Sequence, residues 1–290
     1  MPELPEVETI VRDLNAKIRK RIFVDVWTDS PKIIKKPENF ELFKKGLKGR
    51  GIENIRRRGK NIIFNLSDGK VLLVHQKLTG HFLLGKWQKT NNHWIPPKGP
   101  LSDKINTYIH LIFFLDNGKM LALSDLRKFA KAELWDKGEL ENSKEFNLLG
   151  PEPLSPSFAF NDFKERFKGK KGKIKKILMD QRLLVGIGNI YSDEILFAAK
   201  ISPLRDVSQL SEFELKRIYK ATKKILSLAI RLGGESFSDY RRIDGEKGYY
   251  DKARKVYRKT GEPCPGRCGG VVKRIKIDGR SAHYCPSCQK

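Results

Sequence analysis

The chain has 290 residues, with 59 Lys and Arg against 34 Asp and Glu, a formal charge of +25 and a pI near 9.9. That length buries a full core in two or more compact units, and that charge argues for a polyanionic partner, nucleic acid first, over a merely solvated basic surface. No apolar run approaches the roughly 18 residues of a membrane-spanning helix, and residues 1–10 lack the basic start and apolar stretch of a secretion signal, so a cytoplasmic location is expected.

Along the chain, Val7, Ile10, Val11, Leu14 and Ile18 repeat at helical spacing behind Glu3, Glu6 and Glu8, carboxylates that suit the positive end of a helix. An N-terminal helix over 3–18 is expected. From about 22 to 136 the pattern turns to short β-rich runs at 61–66, 71–75, 108–115 and 120–123, with Asp68-Gly69 and Asn117-Gly118 as hairpin turns. This reads as a sandwich or meander. The 150–153 stretch Gly-Pro-Glu-Pro, followed by Ser155-Pro156, breaks every regular pattern and marks a domain boundary. Helices are expected again at 158–167, 174–179, 190–199 and about 211–232, the last stopped by Gly233-Gly234. A basic, loop-rich stretch over 239–259 leads to the cysteines.

All four cysteines are confined to the tail as Cys264-x3-Cys268 and Cys285-x2-Cys288, which suits one tetrahedral zinc with four thiolates rather than a disulfide framework. Four thiolates leave no open position for a water, so the zinc is structural. Residues 271–284 alternate as a hairpin does, with Asp278-Gly279 at its turn and Arg280 just past it, where a finger pushes an arginine towards a nucleic-acid backbone or simply carries one more exposed charge. Gly186-Ile187-Gly188-Asn189 separates two helical patterns below a lysine run at 168, 170, 171, 173, 175 and 176. Alone, it fits an ordinary connection between helices as well as a phosphate cradle. The loops around His75, Leu78, Arg127 and Phe129 mix basic and apolar residues, which serve core packing or, beside a basic surface, insertion into a base stack.

The N-terminus is less ordinary. An α-amine titrates near pH 8 rather than near 10.4 as lysine does, so far more of it is free base at neutral pH. The secondary amine of Pro2 is intrinsically more basic, which trims the advantage, and a helix dipole restores part of it. Pro2 is an amine only once Met1 is removed, which its small size favours; otherwise it simply starts a helix.

Four segments together resemble the formamidopyrimidine-DNA glycosylase family over essentially the whole chain: the start MPELPEVET, the linker GPEPL at 150–154, LLVGIGNIY at 183–191 and the ending YCPSCQ at 284–289. The resemblance implies an α+β fold: an N-terminal β-sandwich catalytic domain with its helix (1–150), a helix-two-turn-helix DNA-binding domain (151–240) and a four-cysteine zinc-finger β-hairpin (241–290), with DNA gripped in a cleft between the halves and the lesion base flipped out. It implies a monomeric, bacterial-type base-excision repair enzyme, associated with the nucleoid, that removes oxidised purines and cuts the abasic strand by β,δ-elimination. By similarity Pro2 is the nucleophile, Glu3 the acid/base carboxylate and Glu6 its support. Lys60 and Arg280 belong to the catalytic set beside the lesion phosphate, and His75 and Asn189 are further phosphate ligands. Leu78, Arg127 and Phe129 match the trio that fills the gap left by the flipped base, Arg127 facing the orphaned partner. Lys175 matches a DNA-contacting lysine tied to oxidised-guanine processing, and Cys264, Cys268, Cys285 and Cys288 match the zinc ligands.

Four positions depart from the family pattern. Leu78 stands where methionine is usual, three residues rather than two separate the first cysteine pair, Ala130 replaces a glycine, and the 86–106 stretch is longer than usual and lacks an HDH-like sequence. The sister endonuclease VIII type, which prefers oxidised pyrimidines, shares Pro2 and Glu3, but Leu4 and the Arg127-x-Phe129 pair speak against it. A non-catalytic DNA-binding homologue is disfavoured because Pro2, Glu3 and Lys60 are all retained.

Overall fold

The computed structural model describes residues 1–91, 93–237 and 239–290; Asn92, inside the 86–106 stretch, and Ser238, inside the 233–250 loop, lie outside the described residues. The chain forms two compact units. One comprises residues 1–147 and 232–251, the other 148–231 and 252–290.

The first unit is a β-sandwich carrying helix α1 (Leu4–Ile18). One sheet has the order β1-β9-β10-β6, from β1 (Phe23–Thr28), β6 (His81–Gly85), β9 (Ile109–Leu115) and β10 (Met120–Ser124). The other has the order β2-β11-β5-β4-β3, from β2 (Ile34–Lys36), β3 (Ile52–Arg58), β4 (Asn61–Leu66), β5 (Lys70–His75) and β11 (Lys131–Asp136). Period-two alternation decides which side chains face inward. On β4, Ile62, Phe64 and Leu66 enter the main core while Ile63 joins an outer cluster with Val71 and Leu73; on β10, Leu121 and Leu123 point in and Ala122 out. Phe23, Phe64, Phe82 and Phe113 meet between the sheets, with ring centroids 5.4 to 6.5 Å apart, and α1 closes the core with Val7, Ile10, Leu14 and Ile18. The longer stretch forms a small hairpin of β7 (Gln88–Thr90) and β8 (His93–Ile95) whose Trp94 packs on Trp27 and Phe114 over the outer face of the four-stranded sheet.

Helix α2 (Phe40–Leu47) lies outside the sequence expectation, although Phe43 and Leu47 share one buried face and Asn39 caps its start by accepting from Leu42 N–H. The eight residues are too few for a periodic signal to stand out among strands.

Two short helices, α3 (Lys137–Glu141) and α4 (Lys144–Asn147), follow β11. In the second unit, α5 (Phe160–Phe167) and α7 (Asn189–Ala199) pack on α8 (Glu212–Arg231), while the short α6 (Ile174–Leu178) precedes α7. The turn from α6 to α7 is organised by Gln181, whose side-chain amide donates to the carbonyls of Met179 and Ile187 and accepts from Gly186 N–H. Glu194, buried on α7, accepts the N–H groups of Lys255, Val256 and Tyr257 at 2.8 to 2.9 Å and so fixes the entry to the tail hairpin, β12 (Lys273–Ile277) and β13 (Arg280–Tyr284). Its turn is Asp278-Gly279, both at positive φ, as read from the sequence. No helix among the described residues is long and apolar enough to cross a membrane.

The unit boundaries differ from those read in the sequence. The first break, after Asn147, falls three residues before the one expected at 150, but residues 232–251 return to the sandwich instead of dividing between the helical domain and the finger. The reason is a set of contacts distant in sequence: Arg242 grips Asp13, Arg241 grips Asp103, and Leu84 N–H donates to the Ile243 carbonyl.

Phe113 touches three aromatic partners, Phe23 and Phe82 of its own sheet and Phe43 of α2. Phe113→Ala is expected to cost about 3–5 kcal/mol, read as a lowered urea midpoint.

Candidate active site and nucleic-acid interface

In the first unit the expected residues gather at one end of the five-stranded sheet. Asn61 pairs with His75, and His75 with Lys131 on the other side, so the β3–β4 turn with Lys60, the end of β5 and the start of β11 lie side by side. Gly59 makes the β3–β4 turn at φ +58. Arg57 donates to the Gly59 carbonyl and to Glu8 of α1, tying the turn that carries Lys60 to the helix that carries Glu3 and Pro2 at its start. Pro2, Glu3 and Lys60 are all buried.

Glu6 has a fixed task in this arrangement. One carboxylate oxygen accepts Glu3 N–H at 2.7 Å, and the other accepts Glu235 N–H at 2.9 Å. Gly234 lies so close, at φ +85, that a Cβ there would sit 2.9 Å from the second oxygen. The carboxylate thereby fastens the chain start to the returning 232–251 segment.

Two loops beside this end carry the apolar candidates. Leu78 is 36% and Phe129 51% exposed, and the Arg127 guanidinium lies 4.6 Å from the centre of the Phe129 ring. The residues before Leu78 and Phe129, Lys77 and Lys128, sit at φ +56 and +54, a left-handed conformation costly for a side chain with a Cβ. Asp125 holds the second loop, accepting from Thr79 Oγ1, Arg127 N–H and Ala130 N–H.

His75 is held neutral. Burial chiefly, then the charges of Lys77, Lys60 and Lys131, push its imidazole down to about 3. Because Nδ1 accepts Lys77 N–H at 2.9 Å, the remaining proton sits on Nε2, a donor suited to a phosphate oxygen.

In the second unit, Asn189 is the first residue of α7, at the positive end of its dipole, behind Gly186 at φ +88 and Gly188. Arg280 opens β13 and, with Lys176, Asp180, Arg182 and Asp278, lines a cleft of 370 Å³. Lys175, expected from the resemblance to contact DNA, is buried here: its side chain is 1% exposed and its ammonium rests on Asp193, whose other oxygen accepts from the backbone N–H and Nδ1 of His283 on β13. Burial of this kind has no sequence signal, because Lys175 sits in a run of exposed lysines. Asp193 and His283, absent from the sequence expectation, complete the network.

The four cysteine sulfurs lie within 4.8 Å of one another, with Cys264–Cys288 at 3.7 Å and Cys268–Cys285 at 3.5 Å. Tetrahedral thiolates about 2.3 Å from zinc stand about 3.8 Å apart, so the donor set fits one structural zinc despite the longer first knuckle.

Two outcomes are expected. The unfolded chain takes up a proton at His75 near pH 6.5 that the folded chain refuses until about 3, so this residue's contribution falls as pH drops below 6.5. His75→Gln is therefore expected to lose less of its urea midpoint than the parent between about pH 7 and about pH 5; equal losses would remove His75 from the account. Chelating the zinc is expected to unfold the tail, speeding amide exchange over 261–290, with recovery on zinc re-addition.

The matching family models span most of the chain: Formamidopyrimidine-DNA glycosylase N-terminal domain over residues 1–132, Formamidopyrimidine-DNA glycosylase H2TH domain over 149–241, and Zinc finger found in FPG and IleRS over 261–290. The chain is 39% identical to the formamidopyrimidine-DNA glycosylase of Bacillus cereus over 289 residues, covering 100% of this chain and 99% of that protein, and 39% identical to that of Streptococcus mutans over 292 residues, covering both completely. Among solved structures, a mutant of Lactococcus lactis Fpg in complex with Fapy-dG-containing DNA superposes with a TM-score of 0.87 at 34% identity, covering all of both chains. MutM in complex with DNA containing carbocyclic 8-oxo-G gives 0.86 at 34% identity, again covering both. With the sandwich, the helix-two-turn-helix unit and the four-cysteine hairpin all in place, the chain belongs to the formamidopyrimidine-DNA glycosylase family.

Proposed function

We propose that this protein is a base-excision repair enzyme that releases oxidised purines, 8-oxoguanine and formamidopyrimidines, from duplex DNA and then cleaves the abasic strand. The observation that carries the reading is the start of α1, where Pro2 and Glu3 are buried and Glu6 fastens the backbone between them and Glu235. Met1 is exposed at 45%, within reach of an aminopeptidase, and its removal turns Pro2 into a secondary amine at a helix N-terminus. Burial and the helix dipole both favour the uncharged, nucleophilic amine.

The amine nitrogen attacks C1′ of the damaged nucleotide while the C1′–N bond to the base breaks and the base leaves with a proton. Glu3 protonates the sugar ring oxygen as the ring opens, which leaves an iminium between Pro2 and C1′. Loss of the C2′ proton expels the 3′ phosphate, a second elimination expels the 5′ phosphate, and water releases the sugar remnant from Pro2. Lys60, neutral His75, Asn189 and Arg280 bind phosphates and so position the strand rather than read its sequence. Leu78, Arg127 and Phe129 offset part of the few kcal/mol that base extrusion costs by filling the vacated space. Lys175 contributes through Asp193 and His283, holding α6, α7 and β13 together rather than touching the base. Zinc, bound by the four thiolates, supplies the folding energy of the hairpin that presents Arg280. We place the protein, as a monomer, in the cytoplasm at the nucleoid.

Pro2→Gly and Glu3→Gln test the chemistry directly. Each is expected to slow release of 8-oxoguanine from a duplex by about 10² or more with little change in duplex affinity. Undiminished turnover in either variant would overturn the role given to that residue.

A further inference from the structure

The insertion over 86–106 ends in two short 3-10 turns, Pro100–Ser102 and Lys104–Thr107. Their residues are bonded to the points from which the two exposed loops of the site emerge. Ser124 Oγ, at the end of β10, donates to the Ile105 carbonyl at 3.0 Å, and Asp125 N–H donates to the Tyr108 carbonyl at 2.8 Å. Asn106, fully buried, meets His81 Nε2 at 2.8 Å, and His81 is the first residue of β6, paired with Ser124. Asn106 Nδ2 donates to the Pro100 carbonyl at 2.9 Å, which turns Oδ1 towards His81 and makes the imidazole Nε2–H the donor. The opposite ring nitrogen, unprotonated in this tautomer, lies 3.3 Å from the Thr79 carbonyl without bonding it, so His81 is joined to Thr79 through the two intervening peptide units. Thr79 in turn bonds Asp125, the carboxylate that holds the Arg127 and Ala130 amides. Leu78 is one residue from Thr79, and Phe129 one from Ala130.

The same turns reach the returning segment on their other side. Arg241, 7% exposed, donates from Nη2 to Asp103 Oδ2 at 3.0 Å and from Nη1 to the Tyr240 carbonyl at 2.9 Å. Gly245, at φ +86, comes so close that a Cβ there would lie 2.7 to 2.8 Å from the Pro100 and Leu101 backbone.

We propose that residues 100–108 are a brace that sets the positions of the loops carrying Leu78 and Arg127–Phe129, with His81 and Asn106 as positioning residues and Asp103 tying the brace to segment 240–245. Residues with a left-handed backbone at Lys77 and Lys128 stay in place only if their surroundings over-determine them. The brace supplies that constraint through buried hydrogen bonds, each strong because the groups have no water to turn to. The consequence for extrusion rests on the function proposed above; the mechanical coupling does not.

Amide exchange of the full-length, zinc-loaded protein without DNA reads the coupling. His81→Leu, which removes the imidazole bond to Asn106 at similar volume, and Ser124→Ala, which removes one buried hydroxyl bond of the same network with little change of shape, are expected to speed exchange over 77–80 and 125–130 about tenfold while exchange in α1 holds. His81→Gln, whose Nε2 donor stands the same number of bonds from Cβ, is expected to restore the slow rate. Asp103→Ala, an exposed position, is expected to speed exchange over 240–245. With 8-oxoguanine duplexes, His81→Leu is expected to lose kcat/KM and His81→Gln to recover it. Unchanged exchange over 125–130 in Ser124→Ala overturns the brace, whether or not His81→Leu folds, and unchanged exchange over 240–245 in Asp103→Ala overturns its tie to that segment. A parent protein without turnover would sink the proposed function and leave the exchange result standing.

Discussion

The first backbone N–H groups of a helix have no partner within the helix, and the carboxylate of Glu6 meets that constraint here. It takes the Glu3 N–H with one oxygen and the Glu235 N–H with the other, so the first turn of α1 and a segment more than two hundred residues later are fixed by one group. Two backbone N–H bonds to an ionised carboxylate are stronger than neutral ones and directional. Gly234 allows the approach because a side chain there would collide with the same oxygen. The return of residues 232–251 to the sandwich follows from this contact and from the Asp13–Arg242 and Asp103–Arg241 pairs.

Charge is organised around that fixed point rather than spread evenly. Lys60, Lys77 and Lys131 surround His75 closely enough that, after burial, their fields are what keep it neutral. The imidazole therefore offers a neutral hydrogen-bond donor inside a cationic cluster, a combination that suits an anionic oxygen without adding to the repulsion among the lysines. In the second unit the charge that matters is partly hidden. Lys175 commits its ammonium to Asp193, while Arg182, Arg280, Lys176 and the lysines of the 168–173 run are among the exposed cations.

Much of this was legible in the sequence. The strand at 61–66 has the bounds read from its alternation, α1 begins one residue from where its periodicity places it, and Asp278-Gly279 makes the hairpin turn that puts Arg280 at the start of β13. The metal site was visible because cysteine spacing is a local signal, and the four sulfurs converge in spite of the extra residue in the first knuckle. What the sequence concealed is what depends on distant partners. Nothing local distinguishes Lys175 from its exposed neighbours, nothing marks Arg241 or Arg242 as sandwich residues, and the role of Asn106 requires knowing that it meets His81. Helix α2 was missed for the opposite reason: its cap and apolar face are local but too short to stand out.

The central claim is covalent, so mass reports it most directly. After incubation with a duplex containing 8-oxoguanine and reduction by borohydride, the account predicts one protein–DNA adduct whose protein part lacks Met1 and whose linkage maps to Pro2. A protein that keeps Met1, forms no adduct and still cuts the damaged strand at full speed would contradict it.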